Sequence, residues 1–129
     1  MPNYSVPQAG FNGPPNEGLN LAVLIPGDVY FLFNAETPTA PQASVAFARG
    51  LGPNGQKGPI LFTISFASSP TAVVEIQAAD TDLDANYQTV FTSTSTQLDN
   101  YSDLGLFSFY RAKLVSQSGG GAITVKAEA

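Results

Sequence analysis

The sequence contains no cysteine, no histidine and no tryptophan. Without cysteine there is no disulfide framework, thiol nucleophile or thiolate metal site. Without histidine the chain lacks the commonest general base, the commonest zinc ligand and the usual pH-sensitive side chain. The missing tryptophan removes the strongest side chain for stacking on sugars and for anchoring protein interfaces. We therefore expect a protein that is not an enzyme and that needs no cofactor.

Charged residues are also few, with five basic and ten acidic side chains among 129 residues and a formal net charge of −5. Nucleic-acid binding depends on Lys and Arg contacts to phosphate, so this balance argues against a nucleic-acid partner. No apolar run approaches the length of about 18 residues that predicts a membrane span. The N-terminus has neither a basic region nor an apolar core of the signal-peptide type, so we expect synthesis in a cytoplasm.

Residues 1–18 hold four prolines and three glycines. Proline lacks the amide hydrogen and fixes φ, so this stretch cannot be a helix or a central strand. It is either a disordered tail or an extended arm that lies on a neighbouring subunit, for which Tyr4, Val6 and Phe11 provide apolar side chains. The predicted organisation is an extended arm over 1–18 followed by one domain over 19–129.

From residue 19 onward, apolar and polar residues alternate in short runs rich in β-branched and aromatic side chains, separated by Gly, Pro, Asn and Ser. This period of two predicts strands. The predicted strands are 19–26, 28–35, 43–50, 59–66, 72–79, 87–94, 106–117 and 122–129. In the third run, Val45 and Phe47 are predicted to share one face. About eight such strands indicate an all-β protein, an antiparallel β-sandwich of the jelly-roll or immunoglobulin-like type.

The stretch "AADTDLDANYQTVFTST", residues 78–94, is the one place that resembles a chemical site. Four oxygen-bearing residues alternate there: Asp80, Asp82, Asp84 and Asn86. A helix–loop–helix calcium loop would need glycine and glutamate where Ala85 and Phe91 stand, so only a looser calcium site is open. Glycoside hydrolysis needs two carboxylates at a set spacing in a cleft. A plain bend between strands is favoured, because Asp and Asn tolerate turn conformations.

The second half of the chain follows a regular order of strand, polar bend, aromatic residue and strand, in "AVVEIQAADTDLDANYQTVFTST" and then "LFSFYRAKLVSQSGGGAITVKAEA". Residues 70–129 resemble small β-sandwich virion proteins of tailed bacteriophages, both head decoration (cement) proteins and tail or fibre modules. The unit is also similar to discoidin-type sandwiches. The resemblance does not extend to the first 40 residues. It carries over no functional residues, because such families act through surfaces.

The resemblance implies a structural virion protein, above all a capsid decoration protein that binds and stabilises the head shell as a homo-oligomer. Its partners would be the major capsid protein or other virion proteins, and its location the virion after synthesis in the bacterial cytoplasm. The alternative is a tail or fibre module that binds host-surface carbohydrate through its loops, with Tyr87 or Tyr101 as a stacking platform. The interface candidates are the 50–59 loop and Tyr4, Phe11, Phe107, Phe109 and Arg111. For Arg111 an outward salt bridge is the other interpretation.

Overall fold

The computed structural model describes residues 21–52, 55, 58–67, 71–94, 98–118 and 121–129. The arm over 1–18, with Tyr4 and Phe11, and part of the 50–59 loop lie outside these residues. The described residues form ten strands. They are β1 (Ala22–Leu24), β2 (Val29–Glu36), β3 (Gln42–Ala43), β4 (Phe47–Arg49), β5 (Ile60–Phe66), β6 (Thr71–Ala79), β7 (Gln88–Ser93), β8 (Leu98–Asp103), β9 (Phe109–Ser118) and β10 (Ile123–Glu128). One 3₁₀ turn, Asp84–Asn86, precedes β7.

The strands form two sheets that pack face to face. The six-stranded sheet has the order β1-β4-β9-β6-β7, with β3 also paired to β9, and the four-stranded sheet has the order β2-β10-β5-β8. All pairs are antiparallel except β1 with β4, which is parallel. The predicted all-β sandwich is confirmed, with ten strands in the described residues where about eight were expected.

The core lies between the sheets and comes from the alternation that the sequence shows. One side of β5, β6, β9 and β10 is almost entirely inaccessible. Its members are Ile60, Phe62, Ile64, Val74, Ile76, Ala78, Tyr110, Ala112, Leu114, Ile123, Val125 and Ala127, each 0 % exposed. Side chains in a strand alternate between its faces, so burying one face selects this set. A buried aliphatic or aromatic side chain of this kind contributes about 1.5–3 kcal/mol.

The prediction for residues 43–50 is wrong in two respects. The run is split into β3 and β4, and Val45 is 68 % exposed whereas Phe47 is fully buried. Ser44 explains the break, because its Oγ accepts a hydrogen bond from the amide of Ala112 at 3.0 Å while its own amide donates to the Ala112 carbonyl at 2.8 Å. The interruption changes the facing of the residues that follow.

Strand β8 was not predicted, because its sequence "LDNYSD" is polar and rich in residues that are depleted in strands. It forms one edge of the four-stranded sheet, where an outward polar face is stable. Within the described part of the chain, no helix is long and apolar enough to cross a membrane.

Candidate interaction surfaces

The outer face of the six-stranded sheet carries a polar cluster centred on Arg111 of β9. Its Nη1 lies 2.7 Å from Oδ1 of Asp84, and its Nε donates to Oε1 of Gln77 at 2.8 Å. The guanidinium carbon lies 4.0 Å from the centroid of the Tyr87 ring, in a cation–π contact. The side chain is therefore only 12 % exposed. Arg111 is a salt-bridge partner within its own chain, and a binding partner would have to compete with these contacts.

The aspartates of the 80–86 bend point to different partners. Asp84 pairs with Arg111, whereas Asp82 accepts a hydrogen bond from the Tyr87 hydroxyl at 2.7 Å. Burial, and then this hydrogen bond, raise the pKa of Tyr87 above its usual range. Asp80 and Asn86 are exposed. Among the described residues, no group of three or more acidic, His or Cys side chains is arranged to hold a metal ion. What the geometry does show is a bend whose carboxylates attach it to β9 and to Tyr87.

The two phenylalanines named as interface candidates lie in different environments. Phe109 is half-buried on the outer face of the six-stranded sheet, opposite Ala48 on one side and Ala79 on the other. Phe107 packs edge-on against Tyr110, with ring centroids 6.3 Å apart and an interplanar angle of 86°. Phe109 is therefore open to a partner on the sheet face, and Phe107 belongs to the edge of the core.

The proposed sugar platforms are both engaged in contacts. Tyr101 stacks on Phe91 with centroids 4.7 Å apart and lies 6.1 Å from the ring of Phe62. Tyr87 has the guanidinium of Arg111 against its ring. Stacking on a sugar requires a free aromatic face; Tyr101 already has two rings against it, and Arg111 covers one face of Tyr87.

A second polar cluster lies at one end of the sandwich and was missed by the sequence analysis. Asp103, at the end of β8, is 9 % exposed. It accepts hydrogen bonds from the hydroxyls of Tyr101, at 2.6 Å, and of the fully buried Tyr110. Its Oδ2 also accepts from the Gly105 amide at 2.8 Å. Burial and then the Asp103 bond raise the pKa of Tyr101 to about 12 and raise that of Tyr110 further.

Arg49, at the end of β4, holds three segments together at the same end. Its Nη1 donates to the Leu24 carbonyl at 3.0 Å and its Nη2 to the Gly58 carbonyl. The backbone of Gly105 lies so close that a Cβ there would sit 3.0 Å from the Arg49 Nε. The residue is 7 % exposed, and its buried Nε has no hydrogen-bond partner among the residues that the structure describes. Arg49 pairs with no acidic side chain of the described residues, so it fixes the backbone of β1 and of two loops rather than making a salt bridge.

Exposed aliphatic side chains lie on the segments that meet at Arg49. They are Val23 at 59 %, Ile25 at 43 %, Leu51 at 51 %, Leu104 at 73 % and Leu106 at 66 % exposure. Each sits beside a residue at the Arg49 site: two flank Leu24, two flank Gly105, and one follows Gly50. We call these five residues the aliphatic rim. The stretches that carry it, 21–25, 49–52 and 104–108, contain no charged residue besides the buried Arg49.

The rim was not predicted as a set, although its parts gave two signals. The 50–59 loop was named as an interface candidate, and Leu51 lies in it. Leu106 begins the predicted strand 106–117, and Leu104 falls between predicted strands. Only the approach of the three segments at Arg49 brings the five side chains to one end of the molecule.

Comparisons with known proteins found one similar structure. No protein-family model and no curated protein matches the chain. The structure is similar to the crystal structure of the SPBc2 prophage-derived protein YomS, with a TM-score of 0.51 and 15 % sequence identity. The match covers 78 % of this chain and 92 % of that one. At this identity the likeness concerns the fold.

Proposed function

We propose that this protein is a structural component of a tailed-phage virion, and that it decorates the head shell as a homo-oligomer. The observation that carries the proposal is the aliphatic rim. Five large aliphatic side chains, each at least 43 % exposed, lie on three stretches whose only charged residue is the buried Arg49, in a chain whose net charge is −5. Exposed apolar groups in such a cluster are typical of surfaces that bind other proteins.

Two further features support this proposal. The fold is similar to that of a prophage-derived protein. The polar side chains around Arg111 and around Asp103 bond to each other within the chain, so these two clusters stabilise its loops. Such a protein would act by mass action, since binding only the assembled shell stabilises that shell. Several linked copies would add avidity.

The test uses heads of the encoding phage that are assembled without this protein. We expect the purified full chain to co-sediment with such heads at a fixed ratio and to raise the temperature at which they break open. A variant with Leu104→Ser and Leu106→Ser should bind the heads more weakly, while Leu61→Ser with Leu98→Ser, two exposed leucines of the four-stranded sheet, should bind normally.

Two results would overturn the proposal. If the protein occurs in isolated tails and does not bind heads, it is a tail component. If it binds host-surface glycans, with the bend around Asp82 needed for adhesion, the carbohydrate-binding alternative replaces decoration.

A further inference from the structure

We infer that the aliphatic rim is the docking site for the N-terminal residues 1–20 of a second copy of this chain. The inference rests on the proposed function, because it names the contact that would build the homo-oligomer. It does not require that the oligomer bind a phage head.

The rim and the N-terminal segment are chemically complementary. The rim consists of aliphatic side chains, and the only charged residue on the stretches that carry it is Arg49, which is buried. Residues 1–20 contain a single charged side chain, Glu17, together with the apolar Tyr4, Val6 and Phe11. Burying aromatic side chains against aliphatic ones removes apolar surface from water at about 25 cal/mol per Å². No other segment outside the described residues is long enough or apolar enough to cover the rim: the internal ones span 53–54, 56–57, 68–70, 95–97 and 119–120.

The N-terminal segment joins the domain beside the rim. The described chain starts at Leu21, directly before β1, which carries Val23 and precedes Ile25 of the rim. The side chains of Val23 and Ile25 close over the Cα of Gly50, where a Cβ would lie 2.9 Å and 2.5 Å from them. The segment therefore leaves the domain at the edge of the rim itself.

The N-terminal segment is long enough to reach a neighbouring molecule. Ten positions separate Phe11 from Leu21. An extended chain of that length spans about 33 Å, whereas a domain of about 100 residues has a radius of gyration of about 13 Å. The aromatic residues can thus lie well beyond the rim that starts two residues after the exit. Pro14 and Pro15, in the connecting stretch, disfavour a helix that would shorten it.

The donor segment and the acceptor rim are different surfaces. A contact between them is heterologous, so each copy gives one arm and receives one. Such contacts form a ring or a reciprocally joined pair where the rotation between neighbours closes, and an open filament where it does not. We expect the closed form, an oligomer of one defined mass.

The experiment measures the molar mass of full-length variants by size-exclusion chromatography with light scattering. One variant alters the arm, Tyr4→Ser with Phe11→Ser, and another alters the rim, Leu51→Ser with Leu104→Ser. The matched control is Leu61→Ser with Leu98→Ser, which removes two exposed leucines from a different face. Circular dichroism verifies that every variant is folded.

We expect the natural chain and the control to be oligomers of one defined mass, and the arm and rim variants each to be monomers. Mixing the two monomeric variants should produce a one-to-one complex, because one supplies an intact rim and the other an intact arm. Neither variant should associate with itself.

Three outcomes would overturn the inference. If the natural chain is a monomer, the arm does not bind a second copy. If the rim variant is monomeric but the arm variant remains oligomeric, the rim binds another rim. If the rim variant keeps the natural mass, the rim is not the docking site. None of these measurements involves a phage head, so a failure here is distinct from a failure to bind heads.

Discussion

Replacing Asp103 with alanine should destabilise this protein more than any other substitution of an acidic residue in its described part. Asp103 accepts three hydrogen bonds, from the hydroxyls of Tyr101 and Tyr110 and from the amide of Gly105. Two of these donors, the Tyr110 hydroxyl and the Gly105 amide, are buried. Water cannot replace the carboxylate there without opening the end of the sandwich.

The expected cost follows from the fate of each donor. A buried donor left without its partner costs about 1–3 kcal/mol, and a hydrogen bond to a charged group contributes about 1.5–3 kcal/mol. Tyr101 is only half-buried, so its hydroxyl regains water. The buried carboxylate also carries a desolvation cost that alanine removes. We expect a net loss of about 3 kcal/mol from a domain whose total stability is typically about 5–15 kcal/mol.

Urea unfolding followed by tyrosine fluorescence and circular dichroism measures this loss. With a slope of about 2 kcal/mol per molar urea, the midpoint should fall by about 1.5 M. Asp99→Ala is the matched control, because Asp99 lies on the same strand and, among the described residues, accepts a hydrogen bond only from the adjacent Asn100 amide. Its midpoint should change by no more than about 0.25 M, as for an ordinary surface substitution.

A double-mutant cycle with Tyr110→Phe decides whether the reasoning is correct. Residues in direct contact show interaction energies of about 0.5–3 kcal/mol. If the losses from Asp103→Ala and Tyr110→Phe simply add, or if Asp103→Ala costs less than about 1 kcal/mol, the carboxylate does not hold the tyrosines as described.

Three further predictions concern a glycine, a cation and a tyrosine. Gly105→Ala should lower the free energy of unfolding in urea by at least about 2 kcal/mol, because φ is +76° and a Cβ would overlap the Gly58 carbonyl. Gly27→Ala is the control, because Gly27 has a φ of +98° but open space around it, so this variant measures the cost of backbone strain alone. Equal losses in the two variants would refute the steric overlap at Gly105. Arg111→Ala should lower the free energy of unfolding by about 1–2 kcal/mol, because the ion pair with Asp84 and the contact with the Tyr87 ring are lost, and Arg111→Lys should recover only part of this loss. An unchanged urea midpoint for Arg111→Ala would show that other contacts hold the bend. Because the pKa of Tyr101 is raised from 10.0 to about 12, its contribution to folding stability is complete below pH 10 and is lost as the pH rises towards 12. Spectrophotometric titration of the folded chain should therefore show tyrosinate forming above the usual pH range. Ionisation of every tyrosine near pH 10 would contradict this prediction.

Most of the core was predictable, because it depends on a local rule. Alternation in β5, β6, β9 and β10 identifies the buried side of each strand without knowledge of its neighbours. In β9 the alternation is regular, since Tyr110 and Leu114 are buried whereas Arg111 and Lys113 are only partly buried. It failed at Val45, where Ser44 bonds to the distant residue Ala112 and interrupts the alternation.

The polar bend shows which contacts the sequence could not predict. Its composition correctly indicated a connection between strands, and the 3₁₀ turn Asp84–Asn86 lies there. Nothing in its spacing shows that Asp84 reaches Arg111, since the two residues meet only when β9 pairs with β6 beside the bend.

Local sequence patterns establish the class of this fold and most of the side chains that fill its core, because strand alternation and turn residues act between near neighbours. What lies at the end of the sandwich depends on contacts between distant segments. Arg49 contacts carbonyls 25 positions before it and 9 after it, and the stretches 21–25, 49–52 and 104–108, which carry the aliphatic rim, meet there. Such contacts depend on the order of strands in the two sheets, which local patterns do not encode.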